Sequence, residues 1–147
     1  MATKYAIRDI THADVPKVAM LGRIIAEEYT HDLKPNTAHF SGFLNAFIGA
    51  SEFHFHKLIE RNDTVYGFML AFVSFNLYSG YMQCTKATWV THSAAAGYGR
   101  RLMKLCESWA REKGCKTMYI SGPNEKVARL LEHSGYTFKE ATFGKDL

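Results

Sequence analysis

This chain of 147 residues has little of what marks the specialised protein classes. It has three cysteines, Cys84, Cys106 and Cys115, an odd number with no close pair. That argues against a disulfide framework and against a zinc-ligand set. Its three prolines, Pro16, Pro35 and Pro123, lie in no Pro-rich tract, and no repeat or low-complexity segment interrupts it. One globular domain spanning residues 1–147 is therefore expected. Long apolar runs are missing too. The longest, around Val65 to Val73, is broken by Gly67 and falls far short of the roughly 20 residues that span a bilayer. The stretch Met1-Ala2-Thr3-Lys4-Tyr5 has no signal-peptide shape and no glycine at position 2 for myristoylation. The expectation is a cytoplasmic protein without a membrane anchor. No Gly-x-x-x-x-Gly-Lys-Ser/Thr phosphate loop occurs, and Ser93 does not sit in a Gly-x-Ser-x-Gly elbow.

What the chain does have is core material: 47% of its residues are hydrophobic and 14% aromatic. It also has an uneven charge. Residues 1–96 hold eight Lys and Arg against eight Asp and Glu, and residues 97–147 hold ten against six. The whole excess of +4 therefore lies in the last third. A small polyanionic ligand suits that part of the chain. Nucleic acid is the competing reading and ranks below it, because the basic residues are dispersed among acids and form no run.

Hydrophobic spacing supplies the elements. Tyr5–Ile10 reads as a strand, and Thr11-His12-Ala13-Asp14 as a capping-box start with Asp in place of Glu. Two helices follow, one on Val15, Val18, Ala19, Gly22, Ile25 and Ala26, the next on Phe40, Phe43, Leu44, Phe47 and Ile48. Between them lies a loop from His31 to Asn36. Strands are expected over Phe53–Leu58, Val65–Phe75 and Tyr81–Val90. The second of these is apolar on both faces and so reads as central. A helix with Tyr98, Leu102, Leu105, Cys106 and Trp109 on one face ends before Gly114. A strand at Lys116–Ser121, a helix at Asn124–His133 and a last strand at Tyr136–Phe143 close the order β-α-α-β-β-β-α-β-α-β. Helices interleaved with a strand run imply an α/β (α+β) fold, a mixed sheet covered by helices.

The segment Ser93-Ala94-Ala95-Ala96-Gly97-Tyr98-Gly99-Arg100-Arg101 carries the chemistry. It is a turn of small residues opening directly into a helix. Small residues let a ligand approach the backbone, and a new helix presents unpaired N–H groups at the positive end of its dipole. Such a place suits phosphate or pyrophosphate, and Arg100 and Arg101 add charge-assisted donors. The plainer reading is a turn that only passes a strand into a helix. His54 and His56 share one strand face. With no third ligand nearby they read as a polar face in preference to a metal or base site.

The element order and this turn resemble the GNAT superfamily of N-acetyltransferases. The acyl-CoA signature Arg/Gln-x-x-Gly-x-Gly/Ala is matched by Ala94-Ala95-Ala96-Gly97-Tyr98-Gly99. A C-terminal pattern, Asn-x-x-Ala-x-x-Leu-Tyr-x-x-x-Gly-Phe, is matched by Asn124 to Tyr136. The resemblance implies that the strand ending near Trp89 and Val90 splays from its neighbour, with acetyl-CoA wedged into the opening. Its pyrophosphate would rest on N–H groups from about Ala95 to Gly99, and Asn124 would also bind the cofactor. A backbone N–H near Trp89 or Val90 would polarise the acetyl carbonyl. An amine on a small molecule or a protein would attack directly, the chain forming no membrane contact and a homodimer being open. Two of the departures from these patterns touch the chemistry. Ala94 replaces the usual Arg or Gln, leaving Arg100 or Arg101 to compensate. Leu131 replaces the tyrosine that in many members protonates the departing thiolate. The strand Tyr81–Trp89 holds no carboxylate base. His92, just past it, and Tyr136 are the candidate proton-transfer residues, set against a solvent-facing loop histidine and a packing tyrosine; Tyr78 and Tyr81 are further possible acids. The acceptor would meet Tyr29-Thr30-His31-Asp32 and the loop Leu77-Tyr78-Ser79-Gly80, with Glu27, Glu28 and Asp32 either attracting a cationic amine or simply solvated. The alternative function is an impaired GNAT-like module that binds a partner protein.

Overall fold

The structure, a computed structural model, describes residues 4–29, 34–122 and 124–147. The chain begins in β1 (Ala6–Asp9) and passes through a 3-10 turn at His12–Asp14 into α1 (Val15–Tyr29). Asp14 organises that entry, as the capping-box spacing anticipates. Its carboxylate accepts the Thr11 N–H at 2.7 Å and the Thr11 hydroxyl at 2.9 Å. It also accepts both terminal nitrogens of Arg8, at 2.7 and 2.8 Å. Arg8 reaches Glu60 as well, at 2.8 and 2.9 Å. The second helix, α2 (Thr37–Phe47), opens on Asn36, whose side chain accepts the His39 N–H at 2.9 Å. Strands β2 (His54–Arg61), β3 (Thr64–Phe75) and β4 (Met82–Thr91) follow, then α3 (Tyr98–Glu112), β5 (Thr117–Tyr119) and α4 (Glu125–His133). The β2–β3 hairpin turns on Asn62 and Asp63, with φ of +50° and +62°. Asn and Asp are among the residues that tolerate this geometry, which matches strand twist.

The sheet runs β1-β2-β3-β4-β5, antiparallel except for the parallel β4–β5 pair. This is the mixed sheet expected from the element order. β3 is buried on both faces over residues 67–71. Phe68 and Leu70 join Val18, Leu44 and Val90 beneath α1 and α2. Met69 and Ala71 join Phe55, Cys84, Leu102 and Cys106 beneath α3. Each large side chain buried this way contributes about 1.5–3 kcal/mol. The Cys84 and Cys106 sulfurs meet at 3.9 Å as free thiols, small apolar residues between strand and helix.

Three expectations change. The last strand over Tyr136–Phe143 does not form. Gly135 closes α4 at φ +92°, the Tyr136 N–H caps the Leu131 carbonyl at 3.0 Å, and the chain runs on without ladder bonds. Phe138 and Phe143 stand 79% and 92% exposed, so pairing would bury little to offset the entropy of ordering. β5 is likewise shorter than Lys116–Ser121. The polar face expected at His54 and His56 is instead packed. The His54 ring stacks on Phe47 at 4.1 Å and its Nδ1 meets the Phe47 carbonyl at 3.0 Å. His56 has a buried Nδ1 without a hydrogen-bond partner, and burial lowers its pKa.

Candidate functional site

The site is built where β4 ends and α3 begins. His92 lies just beyond β4. Its backbone N–H donates to the Tyr66 carbonyl at 2.7 Å, and its ring Nδ1 accepts the Ala94 N–H at 3.0 Å. The ring thus caps the short turn Ser93–Ala95. A neutral His92 so held carries its proton on Nε2, which is the ring atom left for other partners. Ala95 and Ala96 spend their N–H groups on the His92 and Ser93 carbonyls. The first helical bond of α3 runs from the Arg101 N–H to the Gly97 carbonyl. Among the described residues, the N–H groups of Gly97, Tyr98, Gly99 and Arg100 are therefore the unpaired donors. They lie at the positive end of a 15-residue helix. Gly97 takes φ +91°, and the space its Cβ would occupy is open. An anion can approach this backbone closely.

Long-range contacts hold the turn. Trp89 Nε1 donates to the Gly99 carbonyl at 3.1 Å and pins the first turn of α3 to β4. Tyr5 donates from its hydroxyl to the Ala94 carbonyl at 2.9 Å. Its ring packs on Tyr66 and Tyr98 at 5.1 and 5.0 Å. The Arg61 guanidinium lies 4.4 Å from the Tyr5 ring centre, and Arg101 lies 4.6 Å from that of Tyr98. Tyr5, Arg61 and Tyr66 escape a reading of the sequence. Nothing local marks them, and Tyr5 is 89 positions from its partner.

Below the turn the sheet forks. β4 pairs with β5 only from Gln83 to Thr85, against Thr117 to Tyr119. From Lys86 to Thr91 the β5-side edge of β4 has no strand partner among the described residues. On the other edge the register with β3 slips between Leu70–Thr88 and Ala71–Lys86, leaving Ala87 as a bulge. A bulge breaks the ladder and re-aims side chains. Trp89 and Val90 stay in register with Met69 and Phe68. Across the fork, Lys86 Nζ donates to the Ser121 carbonyl at 2.7 Å, and burial lowers its pKa. Neither Ala87 nor Lys86 is signalled by a local motif.

The other expected residues are spread out. Asn124 caps α4, its Oδ1 accepting the Val127 N–H at 3.0 Å. Leu131 is buried. Tyr136 donates to Glu107 Oε1 at 2.8 Å, and burial and that carboxylate raise its pKa well above the usual phenol value. Glu107 lies nine residues beyond Tyr98 along α3, roughly 13 Å from the glycine turn. Tyr136 lines a cavity of about 910 Å³ beyond β5, with Ile120, Ala128 and Phe138. A smaller cavity of about 450 Å³ lies beside the turn, lined by Tyr5, Tyr98, Arg101 and Lys104. The loop Leu77–Gly80 is held by Asn76 and sits at the opposite end of β4 from the turn. Thr30, His31 and Asp32 lie outside the described residues, as do the side chains of Glu27, Glu28 and Tyr29. Among the described residues no metal-ligand group of three occurs, and no helix is long and apolar enough to cross a membrane.

Solved structures share this fold over nearly the whole chain. A glucosamine-6-phosphate N-acetyltransferase from Arabidopsis thaliana superposes with TM-score 0.76 at 14% identity, covering 97% of this chain and 98% of its own. A Trypanosoma brucei acetyltransferase gives 0.73 at 18%, covering 98% and 100%. A ribosomal-protein-alanine N-acetyltransferase from Brucella melitensis biovar Abortus 2308 gives 0.73 at 12%, covering 98% and 99%. These likenesses establish the fold. No curated protein matches the sequence. The sequence model of the acetyltransferase (GNAT) family, however, matches residues 18–136, from α1 through the glycine turn to the end of α4. The chain accordingly belongs to the GNAT family, whose members transfer acetyl groups.

Proposed function

We propose that this protein moves an acetyl group from acetyl-CoA to a primary amine, the amine attacking directly while both are bound. One observation carries the reading: four unpaired N–H donors at the start of α3 stand at the head of a fork whose β4 edge is open from Lys86 to Thr91. The Gly97 to Arg100 donors fit the cofactor's pyrophosphate. Arg100 and Arg101 supply the charge that Ala94 cannot. The open β4 edge offers backbone groups to the pantetheine arm, and Asn124, whose cap uses only Oδ1, keeps its amide nitrogen for it. Bound acetyl-CoA supplies an activated acyl carbon and a thiolate leaving group. The interrupted backbone at Ala87, with Trp89 and Val90 above it, is where donors would face a developing oxyanion. His92 Nε2 serves proton transfer at the top of the fork. Tyr136 stays protonated toward Glu107, so its part in proton transfer is that of a donor, and it can act only when the bond to Glu107 is given up. The acceptor is an amine on a small molecule or a protein.

Calorimetric titration with acetyl-CoA tests this, alongside thermal unfolding. Cofactor at one hundred times Kd raises stability by about 2.7 kcal/mol. Gly97→Asp sets a negative charge where the phosphates belong. It should weaken binding at least tenfold with the fold intact by circular dichroism. Equal binding by parent and variant overturns the cofactor assignment. Binding without turnover across a broad amine screen favours the second reading, an impaired module that binds a partner protein, which Ala94 and the buried Leu131 both raise.

A further inference from the structure

Three side chains in the described structure are half-buried lysines: Lys57, Lys86 and Lys113. Lys57 pairs with Asp9 at 2.7 Å and Lys113 with Glu52 at 3.9 Å. Lys86 faces no carboxylate among the described residues. Its one hydrogen bond runs across the fork to the Ser121 carbonyl. Strand alternation puts it on the same sheet face as Cys84, beneath α3, and it immediately precedes the Ala87 bulge. The amine therefore lies inside the opening between β4 and β5, beside interrupted backbone. That is where the acyl group of a thioester threaded along the open β4 edge would come to rest.

We propose that Lys86 is an internal acetyl acceptor, so that the protein acetylates itself once at this residue. The inference rests on the acetyl-CoA reading above. Nucleophilic attack needs the neutral amine, and partial burial without a counter-charge favours that form. No separate base is then required, in accord with a β4 strand that holds no carboxylate. The Lys86 nitrogen bonds to the acetyl carbon and the carbon–sulfur bond breaks. The proton shed by the nitrogen passes to the departing thiolate, so that amide and free thiol are the products. The acetylated side chain is uncharged and keeps an N–H for the Ser121 carbonyl, and its amide nitrogen is no longer a nucleophile, so the reaction stops after one transfer to this residue.

The test is incubation of the full chain with acetyl-CoA, followed by intact mass and peptide mapping. The expected result is one acetyl group per chain, mapped to Lys86, suppressed by excess free coenzyme A and absent from Lys86→Arg, which keeps charge and donor. Acetyl groups scattered over exposed lysines such as Lys4, Lys104 and Lys139, and indifferent to free coenzyme A, would overturn it. So would an unmodified Lys86 in a protein that binds acetyl-CoA by calorimetry, a result that leaves the cofactor reading standing. Absence of both binding and modification removes both.

Discussion

Gly99 shows how one residue carries two demands. Its carbonyl receives the Trp89 indole, and a Cβ added to it would fall on the Thr91 hydroxyl, with the Thr91 Cβ at 3.2 Å. The end of β4 and the start of α3 close to a separation only glycine permits. Gly99→Ala should therefore cost about 1–3 kcal/mol, the range for overpacking a tight site. Thr91→Ala in the same chain should recover much of that loss, because the hydroxyl that a Gly99 Cβ would overlap is then gone and only the Cβ at 3.2 Å remains. Urea unfolding of the four proteins in the cycle measures the coupling, and strictly additive effects would rule out the contact as the cause. The two glycines were legible as a pattern; the Thr91 contact that explains the second was not, since it joins separate elements. His92 teaches the same lesson. Its place beside the turn could be read from the sequence, but its Nδ1 bond to the Ala94 N–H depends on how the loop closes.

Among elements, α4 is decided by the residue that precedes it. Asn124 sits in extended backbone and caps the helix through the Val127 N–H. Removing such a cap costs about 1 kcal/mol, so Asn124→Ala should lower stability by that amount. If Asn124 also holds the cofactor, acetyl-CoA affinity falls several-fold in the same variant, by calorimetry at a temperature where it remains folded. Unchanged affinity with reduced stability would confine Asn124 to capping. The helix was readable from its cap and spacing. The fate of the segment after it was not. Tyr136–Phe143 has strand composition, but a strand needs a partner edge and a face to bury, and the three-residue β5 with outward Phe138 and Phe143 provides neither.

At the scale of the molecule, the Arg8–Asp14–Glu60 cluster ties β1, the entry to α1 and β2 together. Hydrogen bonds from Arg8 hold both carboxyls below their usual pKa. Their contribution is complete above the unfolded carboxylate range, about 4, and is lost as pH falls through the lowered folded values. His56 acts earlier. Burial favours its neutral form, so its contribution is present above about 6.5 and is lost as pH falls from there toward its lowered folded value. Stability should thus decline in two stages on acidification. Urea midpoints measured across pH should show Asp14→Asn flattening the lower stage and His56→Phe the upper. Identical pH curves for parent and variants would exclude these groups as the origin.

By itself the sequence determined the order and most of the bounds of the helices and central strands, the two-faced burial of β3, and the glycine turn. Each of these is written in spacing and residue type over a few turns of chain. Tertiary structure alone decided the fork between β4 and β5, the Ala87 bulge, the Lys86 reach to Ser121 and the aromatic and arginine support under the turn. Register slips and contacts across dozens of residues follow from which elements share an edge or a face, and no local pattern encodes that.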